Sequence, residues 1–343
     1  MFSIVGLVVV MGCVFGVFVL HGGNLEPIIH AAPSELATIG GAAVGAMLVG
    51  NGMDTIKGVA GGFGKVFKGP QYKKQDYLDT IFLVSKLLKI LRVDGPVALE
   101  SHVESPEGSP IFGEYPKLMK DHTLIHMITD TIRLMVISSG NLNPYAVEEV
   151  LDTALKAHHH HEMKPVEALA ATAGACPALG IVACVLGVVK TMGAIDQPPA
   201  VLGALIGSAL VGTFMGVLLA YGVIEPMGNR LKQVIDEDSE IYLVVKQLIV
   251  ATLHGHPQPL VIEAARAGIS SHANKPDFGE VFDGLRGKQS KAHEQWPPRR
   301  KPIKIKRRSR RAKAKSRLRS LSRNILVDMA AVTAARGRSR SRI

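Results

Sequence analysis

Four stretches of this chain are long, apolar and nearly free of charge, and they decide which solvent it folds in. They read FSIVGLVVVMGCVFGVFVL at 2–20, LATIGGAAVGAMLVGNGM at 36–53, ALAATAGACPALGIVACVLGVV at 168–189 and PAVLGALIGSALVGTFMGVLLAYGVI at 199–224. A helix needs about 20 apolar residues to cross the roughly 30 Å hydrocarbon core. All four qualify, the second by the smallest margin. The fold class expected is therefore all-α: a polytopic membrane protein with four transmembrane helices and a large cytoplasmic helical domain. No Lys or Arg precedes the first stretch and no small-residue cleavage site follows Leu20, so it reads as a retained span and not a signal peptide.

Charge orients the spans. The loop at 21–35 contains no Lys or Arg, and the loop at 190–198 only Lys190. The segment 54–167 holds thirteen, with Lys57, Lys65 and Lys68 close to the membrane. The positive-inside rule then places both termini and the 54–167 segment in the cytoplasm. The division expected is a membrane hairpin at 1–53, a cytoplasmic helical domain at 54–167, a second hairpin at 168–226 and a cytoplasmic helical region at 227–287. Within the cytoplasmic parts, periodicity predicts helices from Lys73 to Arg92, over 115–138 and 144–160, over 228–254 and around 260–270. Asp94-Gly95-Pro96 ends the first of these, and Asn143-Pro144 starts the third.

The whole-chain net charge of +11 is misleading. Residues 288–343 carry twenty Lys and Arg against two acids, a net +18, and the remainder carries −7. The basic tail has one aromatic, Trp296, no sustained hydrophobic period, and is expected to be disordered. It reads either as an extension for acidic lipid headgroups or as the product of a shifted reading frame, the latter slightly favoured. No nucleic-acid partner is expected.

The polar residues that remain carry little catalytic chemistry. Cys13, Cys176 and Cys184 all lie in apolar spans and behave there as small hydrophobes. The run His158–His161 is a weak metal cue, because consecutive helical residues point in different directions and no second ligand cluster is evident. No nucleophile–base motif or phosphate loop is present, so neither an enzyme nor a cofactor or metal is expected. Each of the four spans reads as free of Asp, Glu, Lys and Arg, whereas an ion path needs an ionisable group. The chain therefore either conducts nothing or lines a path whose carboxylate comes from a partner. Thr213 and Tyr221 are the obvious polar side chains of the last span; the Thr213 hydroxyl either lines such a path or bonds back to its own helix. Pro177 inside the third span and Pro226 at the foot of the fourth are static kinks or joints to the cytoplasmic helices. Gly12/Gly16, Gly41/Gly45, Gly203/Gly207 and Gly212/Gly216 are small-residue pairs that let helices approach closely.

The segments HGGNLEP, TIGGAAVGAMLVGN and YPKLMKDHTLIHMITDTIRLMVISSG, followed by PALGIVACVLGVVKTMG at 177–193 and LGALIGSALVGTFMGVLLAYGVIEP at 202–226, resemble the flagellar stator A subunits of the MotA/TolQ/ExbB proton-channel family. The resemblance covers residues 1–287; the tail departs from it. It implies a bacterial inner-membrane protein that forms a proton channel with a MotB-like partner, which supplies the ion-binding aspartate, and turns ion flow into torque on the rotor. Pro177 and Pro226 match the family's coupling prolines, Thr213 a threonine of the ion path, and Arg92 and Glu100 a charged pair that engages the rotor protein FliG. Five A-type subunits around two B-type subunits are implied, with the proton favoured over sodium. The alternative is a TolQ/ExbB-like energiser of an outer-membrane system, which has three spans; a non-conducting membrane scaffold is the third reading.

Overall fold

The first helix buries almost nothing. The protein is described as a computed structural model, in which residues 2–138 and 142–295 are described. α1 (Phe2–Met11) and α2 (Val17–Leu20) are joined by a π-helical turn, Gly12–Gly16, into one apolar rod. None of its membrane-length window is buried. A helix apolar on every side is at home only in apolar surroundings. Its foothold is an edge-on contact between Phe15 and Phe214 of the fourth span, with centroids 5.9 Å apart.

α3 (Glu26–Gly50) is the second span, and it starts ten residues before the apolar run. The Asn24 side chain accepts the Glu26 N–H at 2.8 Å, and Pro27 occupies the first turn, where its missing N–H costs nothing. Pro33 lies inside this helix without ending it. The outer turn therefore shrinks to 21–25, and Glu35 sits inside a span. The expectation that all spans lack an acid fails at this residue, because the helix is set by its cap and not by its hydropathy.

α4 (Met53–Lys68) follows at once, with Val59 and Val66 buried. Gly58 and Gly62 let it lie flush. A β-carbon on Gly58 would come within 2.5 Å of the Pro165 ring, and one on Gly62 within 2.7 Å of Leu231.

The cytoplasmic core is built by α5 (Lys74–Val93), α6 (Pro96–Glu104), α7 (Pro110–Gly113) and α8 (His122–Ile137). Gly95, at φ 88°, makes the corner between α5 and α6. α6 adds a helix to the Asp94-Gly95-Pro96 break. α8 starts seven residues later than its periodicity suggests, because the Asp121 carboxylate accepts the Leu124 N–H at 3.0 Å and caps it there.

α9 (Pro144–Met192) joins what the sequence divides into a cytoplasmic helix and a third span. It runs through Pro165 and Pro177 unbroken, so the division at 167/168 falls mid-helix. α10 (Pro199–Leu219) is the fourth span; a π-helical turn, Ala220–Ile224, passes it directly into α11 (Glu225–Leu253). α12 (Gln258–Ala267) and α13 (Phe278–Gln295) complete the chain that is described. α13 continues past 287, where the basic tail was expected to begin as disorder; residues 296–343 lie outside the described residues. Residues 1–288 form one unit and 289–343 a second.

Among the described residues there is no strand, and four helices are long and apolar enough to cross a membrane. Side chains separate by region. Ile81, Leu87, Leu124, Ile128, Val245 and Leu248 are fully buried in a cytoplasmic core. Ile39, Ala43, Cys176, Ala183 and Ala220 form a smaller core of mostly small residues where the spans cross. The apolar residues left facing outward on α9, such as Ile181, Val185 and Leu186, suit lipid or neighbouring subunits and not water.

Candidate functional site

The site begins with how α9 and α10 touch. Without a hydrophobic drive between helices in lipid, close packing needs small residues. On α9 these are Gly180 and Gly187; on α10 they are Ala209, Gly212 and Gly216. A β-carbon on Gly187 would lie 2.6 Å from the Ala209 methyl carbon, and one on Gly180 would lie 2.9 Å from the Gly212 carbonyl oxygen. Of the four small-residue pairs in the sequence, Gly212/Gly216 makes this contact. Gly12, Gly16, Gly41, Gly45, Gly203 and Gly207 would each meet nothing within 4 Å.

Thr213 lies in this seam, half-buried. Thr172 and Thr191 on α9 return their hydroxyls to carbonyls one turn back, at 2.7 and 2.9 Å. Thr213 makes no such bond among the described residues, so its hydroxyl is available to another group. The bond back to its own helix, one of the two readings left open by the sequence, is not made here. Tyr221, 60% exposed, stands on the π-helical turn and points away from the seam.

The two prolines differ. Pro177 is half-buried inside α9, next to the fully buried Cys176. Its ring removes one rung of the helix ladder opposite the Gly180–Gly216 contact. Pro226 is exposed and sits in the first turn of α11, just after the π-helical turn. There the Glu225 N–H reaches back to the Ala220 carbonyl, the wide spacing of a π-turn. The proline thus follows a locally widened helix.

An acid, half-buried with one carboxyl oxygen shut off from solvent, lies beside the same seam. The Glu35 Oε2 is the buried side-chain oxygen or nitrogen that has no hydrogen-bond partner among the described residues. A β-carbon on Gly212 would lie 2.7 Å from it. Hydropathy hid this residue, because the apolar run starts one position later. The signal was Asn24-x-Glu26-Pro27, a helix start well upstream.

Arg92 and Glu100 lie far from the seam in sequence, on helices of the cytoplasmic core. Both are exposed, on the last turn of α5 and on α6. They make no ion pair with each other among the described residues; the Arg92 guanidinium donates to the Thr252 carbonyl at 3.4 Å. Val93 and Val97, 68% and 79% exposed, lie between them, so the corner presents two charges around bare aliphatic surface.

Polar pairs tie the helices that leave the membrane to each other and to the rest of this core. The Lys246 ammonium, on α11, is 2.8 Å from Asp152 and 3.1 Å from Glu148 of α9. Tyr72 and Tyr242 both donate to the Asp121 carboxylate, the latter at 2.9 Å. Burial first, and then its bond to Asp121, pushes the Tyr72 hydroxyl far above its ordinary pKa. In the histidine run, the His158 ring packs edge-on to Tyr242 and His159 faces Ser239 and Asp236. Among the described residues no group of three or more His, Cys, Asp or Glu is placed to hold a metal.

Comparison with known proteins covers both halves of this arrangement. Residues 4–95 match the family model for the motility protein A N-terminal region, and 120–242 that for the MotA/TolQ/ExbB proton channel family. The chain is 37% identical to motility protein A of Salmonella typhimurium over 286 residues, which is 83% of this chain and 95% of that protein. It is 34% identical to the chemotaxis protein LafT of Vibrio parahaemolyticus, over 80% of this chain and 95% of that one. In fold it is similar to C. jejuni MotAB, with TM-score 0.62 and 18% identity, covering 80% of this chain and 98% of that chain. It is likewise similar to the flagellar MotAB stator complex of Bacillus subtilis, with TM-score 0.57 and 18% identity, over 76% and 92% of the two chains. The chain belongs to the MotA/TolQ/ExbB proton channel family, within its motility protein A group.

Proposed function

We propose that the chain is a flagellar motor stator subunit, which forms a proton channel with a MotB-like partner and converts ion flow into torque on the rotor. The observation that carries the mechanical half is continuity: the third and fourth spans leave the membrane as α9 and α11 without a loop between membrane and cytoplasm. Force applied in the membrane is thereby delivered to the cytoplasmic core through helix axes. Four spans, against the three of a TolQ/ExbB-like energiser, favour the stator reading.

In this reading the partner supplies the main ion-binding aspartate, and Thr213 with its free hydroxyl lines the path. Protonation in the path changes the fit of α10 on α9. Pro177 and the π-turn before Pro226 are where the helices yield, and Tyr221 on that turn faces the partner or a neighbouring copy. The exposed corner with Arg92 and Glu100 meets FliG. The protein sits in the inner membrane with both termini in the cytoplasm, in a ring of five copies around two partner subunits.

Complementation tests this. The full chain and a cognate B-type subunit are expressed in a flagellated strain lacking its own stators. Swimming is the expected outcome. A membrane-inserted pair that leaves the cells paralysed overturns the reading.

A further inference from the structure

We propose that Glu35 is a second proton-binding carboxyl of the membrane part, supplied by this chain itself, at the junction of α3, α9 and α10. The proposal rests on the ion-translocating reading above and adds a site to it.

The position comes first. Glu35 stands nine residues into a 25-residue helix, roughly 14 Å along its axis. That is too deep for a side chain that belongs to the outer turn. Its Oε2 is shut off from solvent and unpartnered. The hydroxyls that flank it are already committed: Ser34 donates to the Ala31 carbonyl at 2.9 Å and Thr38 to the Ser34 carbonyl at 2.9 Å. Neither is free to pair with the carboxyl.

The surroundings come second. The carboxyl oxygen occupies the space a side chain at 212 would fill, and the same space is bounded on α9 by the Ala183 methyl and the Cys184 backbone nitrogen. Near the carboxyl, α9 offers the Cys176 and Cys184 thiols and α10 offers no titratable group; His30 and Glu26 lie more than a turn away on α3 itself. The cation of this end of α9 is Lys190, exposed and six residues beyond Cys184, about 9 Å farther along the axis. Among the described residues neither it nor another cation partners the buried Glu35 oxygen.

A lone carboxylate in hydrocarbon is costly, and such groups in spans mark ion routes by default. Here the chemistry is reversible protonation. A proton arriving along the seam adds to the carboxylate and makes the neutral acid; its release restores the anion. The two states differ by a full charge beside Gly212, whose carbonyl faces Gly180 of α9 and whose neighbour is Thr213. A merely space-filling role would need the shape of Glu35 and not its proton.

Glu35→Gln separates these, since it keeps the shape and cannot ionise. The full chain is purified with its B-type partner in liposomes and its infrared difference spectrum is recorded across a pH titration. A carboxyl band that titrates in the native complex and is missing in Glu35→Gln is expected. Swimming speed is expected to fall at least tenfold in Glu35→Gln at unchanged co-purification, with partial return in Glu35→Asp. Glu35→Gln cells swimming at native speed overturn the proposal, as does a spectrum identical to that of the native complex. Should the variant fail to assemble, the native complex still decides: dicyclohexylcarbodiimide attacks protonated carboxyls in apolar sites, and an adduct mapped to Glu35 by mass spectrometry supports the proposal while its absence sinks it. If the native pair does not swim, the stator reading falls, and the titrating band still decides whether Glu35 binds a proton.

Discussion

Gly180 and Gly216 bring two spans together backbone to backbone: a β-carbon on Gly216 would lie 3.0 Å from the Gly180 Cα and 2.7 Å from the Cys176 carbonyl oxygen. Neither neighbour is a flexible side-chain tip, so nothing yields cheaply. Gly216→Val is expected to force α9 and α10 apart, at a cost of about 1–3 kcal/mol from overpacking. Gly207→Ala, where an added carbon meets nothing within 4 Å, is the matched control. Thermal unfolding in detergent is expected to show a lowered midpoint for the first and no change for the second.

Asp121 holds three elements at once. It caps α8 and takes the hydroxyls of Tyr72 and Tyr242, both buried. Asp121→Ala leaves two buried hydroxyls and a helix end unpaired. The expected loss is roughly 2–4 kcal/mol, the sum of such unsatisfied groups. Denaturant unfolding of the cytoplasmic part, followed by circular dichroism, measures it; a loss near zero refutes the assignment.

α13 docks on α5 through Val281 and Leu285, with Gly284 against the Phe82 ring, and through Lys74, whose ammonium is 2.7 Å from Glu280. The hydrogen bond from Lys74 first, and the Asp277 N–H next, hold the Glu280 carboxyl below its ordinary value. A depressed carboxylate contributes stability that is present above its unfolded value and lost as pH falls through the folded one. The difference in α13 amide protection between the native chain and Lys74→Gln is therefore expected at neutral pH and expected to vanish in acid below the folded value. A difference that persists there refutes the pairing.

The corner at Arg92 and Glu100 bears on torque and not on folding. Both side chains are exposed, and Arg92 contributes one long bond to a carbonyl. Arg92→Glu and Glu100→Lys are expected to leave membrane levels and melting unchanged while lowering torque on tethered cells severalfold. If reversal, singly and together, leaves torque unaltered, the rotor lies elsewhere.

Much of this was legible in the chain. Uniform hydropathy marks spans one, three and four, since nothing else explains apolar runs that long. Rare residues such as Pro177, Pro226 and Thr213 could be singled out in the sequence, and the structure places Thr213 in the α9–α10 seam and the two prolines in α9 and at the start of α11. What hydropathy could not resolve was where helices continue. A helix expected over 144–160 and a span expected from 168 are one helix, which passes through Pro165 where its ring lies against Gly58 of α4. α4 was not singled out within the 54–167 domain, whose first expected helix began at Lys73; Gly58 and Gly62, one turn apart on one face, were the available sign. Glu35 was assigned to a loop because composition windows see charge and miss caps. The free hydroxyl of Thr213 is a tertiary fact that no local pattern encodes.

The uninterrupted length of α9 has a consequence in angles. From Cys176, in the crowded crossing of the spans, to Pro144, near the cytoplasmic core, its axis covers about 48 Å. A swing of about 5° at the crossing sweeps the far end by about 4 Å, about three-quarters of a helix pitch. Val147 and Leu151, buried near that end, would carry the stroke into the core they pack against. A shift too small to open a gap between two glycines in the bilayer thus becomes a displacement large enough to re-register one protein surface on another.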